Sequence, residues 1–63
     1  MEKWIEKVVG KMHANRITQT EAAEKLGVSR EYLNRVLNGK EKPLNAKDRI
    51  TAAVDELIKE RKG

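Results

Sequence analysis

Residues 30–38, REYLNRVLN, combine side chains that can form directed hydrogen bonds to the edges of nucleic-acid bases. At about 100° per residue, one half of a helix built from this segment is polar. That half carries Arg30, Glu31, Asn34, Arg35 and Asn38. An arginine can pair with guanine, an asparagine with adenine, and a glutamate can accept a hydrogen bond from cytosine. A solvated helix face would also be polar, so this pattern alone does not identify a base-reading surface.

Arg30 favours base reading because its charge is unfavourable in the first turn of a helix. A cation there opposes the helix macrodipole by about 0.3–1 kcal/mol, and a purely structural helix more readily carries Asp or Glu. A helix that enters the major groove presents its N-terminal residues to the bases, where an arginine can recover that cost on guanine. The alternative is an incidental exposed arginine.

The neighbours of Arg30 indicate their roles less specifically. Glu31 suits a helix N-terminus and can pair with Arg35 one turn later, or it can read a cytosine. Arg35 is either held by Glu31 or reaches a base or a phosphate. Asn34, one turn beyond Arg30, is expected to read a base. Tyr32 either packs at the rim of the apolar half or bonds a phosphate through its hydroxyl.

Phosphate contacts are expected on both sides of this segment. Gln19 stands in the first turn of the preceding helix, whose N–H groups suit an anion, and its amide can also bond a base-reading side chain. Asn38, Lys40 and Lys42 follow the far end and can contact backbone phosphates. Loop lysines and exposed glutamines are often merely solvated, and the sequence does not decide between these interpretations.

Two short helices joined by a tight turn are predicted around Gly27. The second helix of the chain begins with a capping box formed by Thr18 and Glu21. Gly27 ends it, because glycine adopts a left-handed conformation at the lowest cost. The third helix begins at Ser29, a favourable N-cap, and ends near Asn38. The pair is a helix-turn-helix unit.

The remaining helices complete an all-α, four-helix bundle-like domain with a long C-terminal helix. The first runs from about residue 2 to 14 and the fourth from about 45 to 61, with Asn45 as its N-cap. Their apolar stripes have helical spacing and predict core. These stripes are Trp4, Ile5, Val8, Val9 and Met12, and then Ile50, Ala53, Val54, Leu57 and Ile58. No strand is predicted, because no run alternates apolar and polar residues.

Composition narrows the classes of function. The chain of 63 residues fits one small domain, and its net charge of +4 would attract nucleic acid or another anionic surface. It has no cysteine and a single histidine, His13, which excludes a disulfide and a cysteine–histidine metal site. No catalytic constellation or cofactor motif is found, so no enzyme activity, metal or small-molecule cofactor is expected.

The chain is expected to be cytoplasmic, with no membrane association. No apolar run approaches the roughly 20 residues that span a bilayer. The first twelve residues, MEKWIEKVVGKM, are charged throughout and lack the apolar segment of a signal peptide.

A stretch of the chain resembles the helix-turn-helix of the Cro and phage-repressor family, also called the XRE family: residues 17–43, ITQTEAAEKLGVSREYLNRVLNGKEKP. The matching positions are Thr18-Gln19, Ala22-Ala23, Leu26-Gly27-Val28-Ser29, Leu33, Val36, and Asn38-Gly39-Lys40 before Pro43. The resemblance implies a lambda-repressor-like fold and a single DNA-binding domain over residues 1–63.

The resemblance also implies a function. Members of this family are commonly transcriptional regulators, often repressors of prophages or bacterial operons, that bind specific double-stranded DNA. The third helix would lie in the major groove. Base contacts would come from Ser29, Arg30, Glu31, Asn34 and Arg35. Phosphate contacts would come from Gln19, Asn38, Lys40 and Lys42.

Two features depart from the family pattern. Ala22 replaces a larger aliphatic residue, so we expect the core to be filled there by other residues, such as Trp4 or Tyr32. A single periodic run replaces the two short helices that usually follow Pro43. The dimer interface of the family therefore does not transfer to this chain.

A homodimer is nevertheless expected, because one short helix offers few base contacts, and two copies would engage half-sites about 34 Å apart. Its seam would use exposed members of the set Val54, Leu57 and Ile58, unless these pack on the first helix within one chain. Two other functions stay open. One is a protein-interaction module, such as an antitoxin or adaptor, and the other is an accessory factor in phage or mobile-element recombination.

Overall fold

A computed structural model describes residues 2–62 of the chain. Over these residues the structure has four α-helices: α1, Lys3–Ala14; α2, Gln19–Leu26; α3, Arg30–Leu37; and α4, Ala46–Lys62. The all-α fold predicted from the sequence is confirmed, and α4 is one unbroken helix of 17 residues. None of the helices described is long and apolar enough to cross a membrane.

The start of α2 and the start of α3 are fixed by side-chain caps. The Thr18 hydroxyl accepts the Glu21 N–H at 3.1 Å, and the Glu21 carboxylate accepts the Thr18 N–H at 3.1 Å. The Ser29 hydroxyl accepts the Tyr32 N–H at 3.1 Å. Between them Gly27 has a φ of +76°, the left-handed conformation that ends α2. The predicted capping box, N-cap and glycine turn are all present.

Left-handed residues end α1 and α3 as well. The Ile17 N–H donates to the Met12 carbonyl at 2.8 Å, the hydrogen bond of a Schellman motif at the end of α1. Gly39 has a φ of +77° after α3, but the corresponding residue after α1 is Arg16, with a φ of +55°. A side chain in this conformation costs about 1–2 kcal/mol, so the α1–α2 turn is strained.

The start of α4 differs from the prediction. Asn45 directly precedes the helix, and its carbonyl accepts the Arg49 N–H at 3.0 Å. Its φ is +65°, whereas the N-caps Thr18 and Ser29 have extended backbones. Asparagine tolerates the left-handed region better than most residues, so Asn45 turns the chain into α4 without the backbone of a usual N-cap.

Aliphatic side chains from all four helices form the core. The buried residues are Ile5, Val8, Met12, Ile17, Ala22, Ala23, Leu33, Val36, Leu37, Ile50, Ala53 and Val54. The fourth helix packs against α1 and α2, and α2 packs against α3. Ala22 is fully buried, and both Trp4 and Tyr32 lie half-buried against the core. Because α2 contributes only methyl groups here, its neighbours can approach closely.

Ion pairs at the surface join α4 to the helices beneath it. Lys11 on α1 contacts Asp55 at 3.0 Å, and Lys25 on α2 contacts Glu60 and, at 3.4 Å, Glu56. Exposed pairs of this kind are worth about 0.2–1 kcal/mol each. They therefore add to the docking of α4, which rests mainly on the buried Val54 and its apolar neighbours.

Gly10 gives a first prediction about stability. It lies in the middle of α1, and a Cβ built at this position meets no atom within 4 Å. Gly10→Ala should therefore raise the free energy of unfolding by about 0.5–1 kcal/mol, because alanine loses less backbone entropy in a helix. Urea or thermal denaturation followed by circular dichroism measures the change.

Gly27→Ala is the matched control for this substitution, since its Cβ also meets no atom within 4 Å but its φ is +76°. It should lower the free energy of unfolding by about 1–2 kcal/mol, because alanine is strained in the left-handed region. Shifts of the same sign in the two variants would contradict the turn geometry at Gly27.

Acid should weaken the capping box of α2. The pKa of Glu21 lies below its usual value of 4.5, because the Thr18 backbone N–H and then the Arg61 guanidinium hydrogen-bond its carboxylate. A lowered pKa in the folded state contributes stability at neutral pH that is lost as the pH falls through that pKa. The melting temperature should thus fall between neutral and strongly acidic pH by less in Glu21→Gln than in the wild type.

The exposed Glu24 on the same helix supplies the control. Glu24→Gln removes one carboxylate without touching the cap, so its acid-induced fall should match that of the wild type. If Glu24→Gln and Glu21→Gln flatten the pH profile equally, the stabilisation does not come from the capping box.

Candidate nucleic-acid interface

The short helix α3 is held by one side and exposed on the other. Leu33, Val36 and Leu37 are at most 4% exposed and anchor it to the body. The outward side carries the side chains that the sequence predicts as base readers. Of these, Ser29, Arg30, Glu31 and Arg35 are exposed and Asn34 is half-buried. Packing therefore determines which residues α3 can offer to a partner.

Arg30 is the first helical residue of α3 and follows the Ser29 cap directly. Within the described part of the chain it forms no ion pair, and its side chain borders an open depression that is also lined by Glu31, Asn34 and Arg35. A guanidinium in this position keeps its donors for a planar acceptor from outside the protein, such as the edge of guanine.

A chain of three amides connects α2 to the middle and the C-terminal end of the exposed face. Asn34 donates through Nδ2 to the Gln19 Oε1 at 3.2 Å, and it accepts at its own Oδ1 a hydrogen bond of 2.6 Å from Asn38. Asn38 also bonds the Asn34 carbonyl at 2.8 Å. The predicted link between Gln19 and a base-reading side chain is present, and it fixes the orientation of the Asn34 amide.

Arg35 contacts a different acid from the one considered in the sequence. Its Nε donates to the Glu41 carboxylate at 2.7 Å, beyond the glycine turn, rather than to Glu31 one turn away. Its guanidinium also lies 5.8 Å from the centre of the Tyr32 ring, a distance suited to a cation–π contact. Arg35 is thus restrained on two sides, and half of its side chain stays accessible.

The lysines predicted to contact phosphate occupy different surroundings. Lys40 is exposed just after α3, and its backbone N–H donates to the Arg35 carbonyl at 2.9 Å. Lys42 lies 3.5 Å from the Glu2 carboxylate, next to the start of α1. The structure therefore keeps Lys40 with the α3 face and draws Lys42 towards the first helix.

Two ion pairs near this interface are not predicted from the sequence. Glu41 is separated from Arg35 by a left-handed glycine, so helical spacing gives no signal of their pairing. Arg61, in the last turn of α4, contacts Glu21 at 2.6 Å and reaches the turn that precedes α2. Only the folded chain shows this contact, because the two residues are 40 positions apart.

The helix-turn-helix family model matches residues 13–47, from the end of α1 to the start of α4. The match covers more than half of the chain, which therefore belongs to the Cro and phage-repressor helix-turn-helix family. This is a family of DNA-binding regulators that are generally not enzymes. No match to the chain was found among curated proteins or among solved structures.

The position of Glu41 predicts a local electrostatic effect on DNA binding. Glu41→Gln removes a negative charge beside α3 and releases Arg35, so affinity for DNA should rise several-fold at low salt. Fluorescence anisotropy with a labelled duplex measures this change.

Glu24→Gln, an equal charge change on the side of α2 that faces α4, is the control. Its effect on affinity should be smaller than that of Glu41→Gln. Equal gains would mean that only net charge matters and would argue against α3 as the contact surface.

Proposed function

We propose that the chain is a sequence-specific transcriptional regulator of the phage-repressor type, with α3 in the major groove of its operator. The observation that carries this proposal is the exposed guanidinium of Arg30 on the first turn of a helix whose other side is buried. Such a helix can enter a groove with its N-terminal residues directed at the bases. We therefore expect the protein to act in the cytoplasm of a bacterial cell, where its operator DNA is located.

The base-reading roles follow the hydrogen-bonding capacity of each side chain. Arg30 pairs with guanine, and Asn34 uses its remaining donor and acceptor capacity on adenine. Glu31 reads a cytosine amine, and the Ser29 hydroxyl donates to a base while its oxygen caps α3. Arg35 reads a base after exchanging Glu41 for the DNA, which makes its contribution dependent on that competition.

The phosphate contacts would flank these readers. Gln19 presents its amide at the start of α2, where backbone N–H groups also favour an anion. Asn38 and Lys40 meet the strand beyond α3, and Lys42 joins them once the phosphate competes with Glu2. The Tyr32 hydroxyl adds a contact from the edge of α3. These groups set the register of α3 in the groove but carry little sequence information.

We propose that the operator is bound by a homodimer. We expect the α4 stripe to contribute little to its seam, since Val54 is fully buried and the half-buried Leu57 and Ile58 pack against the core. Leu44 is 88% exposed and stands beside an apolar cleft lined in part by Val28 and Tyr32. A protruding side chain next to a cleft is self-complementary, as a two-fold contact requires.

Arg30→Ala tests the central claim. Loss of a bidentate contact to guanine costs about 1–3 kcal/mol, so affinity for the preferred sequence should fall about tenfold to a hundredfold. Binding to unrelated DNA should change little. The preferred sequence is found by selecting bound duplexes from a random pool, in which a palindrome would also identify the dimer and its half-site spacing.

Lys59→Ala is the control, because it removes an equal positive charge from an exposed position on α4. It should leave the preference intact. If no sequence is enriched from the pool, or if Arg30→Ala and Lys59→Ala behave alike, sequence-specific binding through α3 is wrong. A partner protein that is retained while DNA is not would favour the interaction-module alternative.

Lys40→Ala tests the phosphate contacts separately. Each phosphate neutralised releases counterions, so the variant should weaken binding to all sequences and reduce the slope of log K against log salt by about 1. Lys7→Ala, an exposed lysine on α1, should leave the slope unchanged. A slope that is nearly flat in the wild type would contradict the proposed contacts.

A further inference from the structure

Arg61 in the last turn of α4 holds together the segment that leads into α2. Its Nη1 donates to the Asn15 carbonyl at 2.6 Å, and its Nη2 donates to a Glu21 carboxylate oxygen at 2.6 Å. These two acceptors lie on either side of the strained turn at Arg16. One planar guanidinium therefore spans the turn and fixes both of its ends.

Glu21 connects this contact to the cap of α2. One of its carboxylate oxygens accepts from Arg61, and the other accepts the Thr18 N–H at 3.1 Å. Thr18 immediately precedes Gln19, whose side chain accepts from Asn34 on α3 at 3.2 Å. These hydrogen bonds, together with the peptide link between Thr18 and Gln19, connect the end of α4 to the exposed face of α3.

The negative charge of Glu21 affects whether a phosphate can bind near Gln19. A carboxylate at the first turn of α2 lies close to the place where Gln19 would meet a phosphate, and it would repel that phosphate. Arg61 neutralises the carboxylate and keeps it directed at the Thr18 N–H. No other cation in the described part of the chain is paired with Glu21.

We propose that Arg61 is a positioning residue for DNA binding, which acts through Glu21 and Thr18 to hold Gln19 in place for a phosphate. The proposal rests on the function proposed above. Arg61 touches no base in this mechanism. Its effect requires the fork of a guanidinium, because a lysine ammonium cannot hold both acceptors in the same planar geometry.

Lys25 is the comparison for a contact that only holds two helices together. It also joins α2 to α4, through Glu56 and Glu60, but it contacts neither Thr18 nor the α1–α2 turn. Loss of Lys25 should therefore affect how firmly α4 is docked without disturbing the start of α2. Comparing variants of Arg61 and Lys25 therefore distinguishes an effect on the position of Gln19 from an effect on the docking of α4.

The first test needs no DNA. Amide hydrogen exchange at Thr18, whose N–H is bonded to Glu21, should become faster in Arg61→Ala and stay unchanged in Lys25→Ala. Equal exchange at Thr18 in the wild type and in Arg61→Ala would overturn the proposal whatever the protein binds.

The second test measures affinity for the selected DNA. Arg61→Ala should bind about tenfold more weakly than the wild type, whereas Lys59→Ala, which removes the same charge from the outer surface of α4, should lose far less. Arg61→Lys should recover only a minor part of the loss. Full recovery with lysine, or equal losses in Arg61→Ala and Lys59→Ala, would reduce the role of Arg61 to its charge and overturn the proposal.

A double-mutant cycle with Gln19→Ala identifies the route. If Arg61 acts through Gln19, Arg61→Ala should weaken binding no further once Gln19 is alanine. Additive losses would indicate a direct phosphate contact by Arg61 and contradict positioning. Failure of the wild-type protein to bind any DNA would instead refute the proposed function, while the exchange experiment at Thr18 would still stand.

Discussion

The attachment of α3 through Leu33, Val36 and Leu37 is the interaction on which the rest of the interface depends. An isolated helix of eight residues is far below the roughly 12–15 residues at which helices become marginally stable in water. Burial of three aliphatic side chains, together with the Ser29 cap, gives α3 its shape and its orientation at once. The polar side chains then face outward because their neighbours are buried in the core, and Arg30 lies in the first turn because the Ser29 cap directly precedes it.

The α4 side and the α3 side of this small domain differ in how their charged residues are paired. On the α4 side, lysines and Arg61 are matched with acids that join this helix to α1 and α2. On the α3 side, Arg30 has no such match among the described residues, and Arg35 is held by a single loop glutamate. The guanidinium of Arg30 is therefore available at the exposed side of α3. Among the ion pairs of α4, the one between Arg61 and Glu21 reaches the first turn of α2.

Sequence reasoning located the helices well because their ends depend on local chemistry. Thr18, Ser29 and Gly27 each act on residues within one turn, so their roles are visible in the order of residues. Asn45 was harder to interpret, because its amide suits both an N-cap and a left-handed turn. The partners of Arg35 and Arg61 could not be found in this way, since each lies across a turn or across the whole fold. The strain at Arg16 was likewise invisible, because the position lacks the glycine that would have marked it.

The length of α3 limits how many base pairs one copy of the protein could contact in a groove. Eight residues rise about 12 Å, which matches roughly four base pairs at about 3.4 Å each. A sequence of four base pairs occurs by chance about once in every 250 positions, whereas a bacterial chromosome offers about a million or more competing sites. If α3 reads DNA as proposed, a single domain would mostly occupy non-specific sites, and selective binding would require a second copy bound nearby.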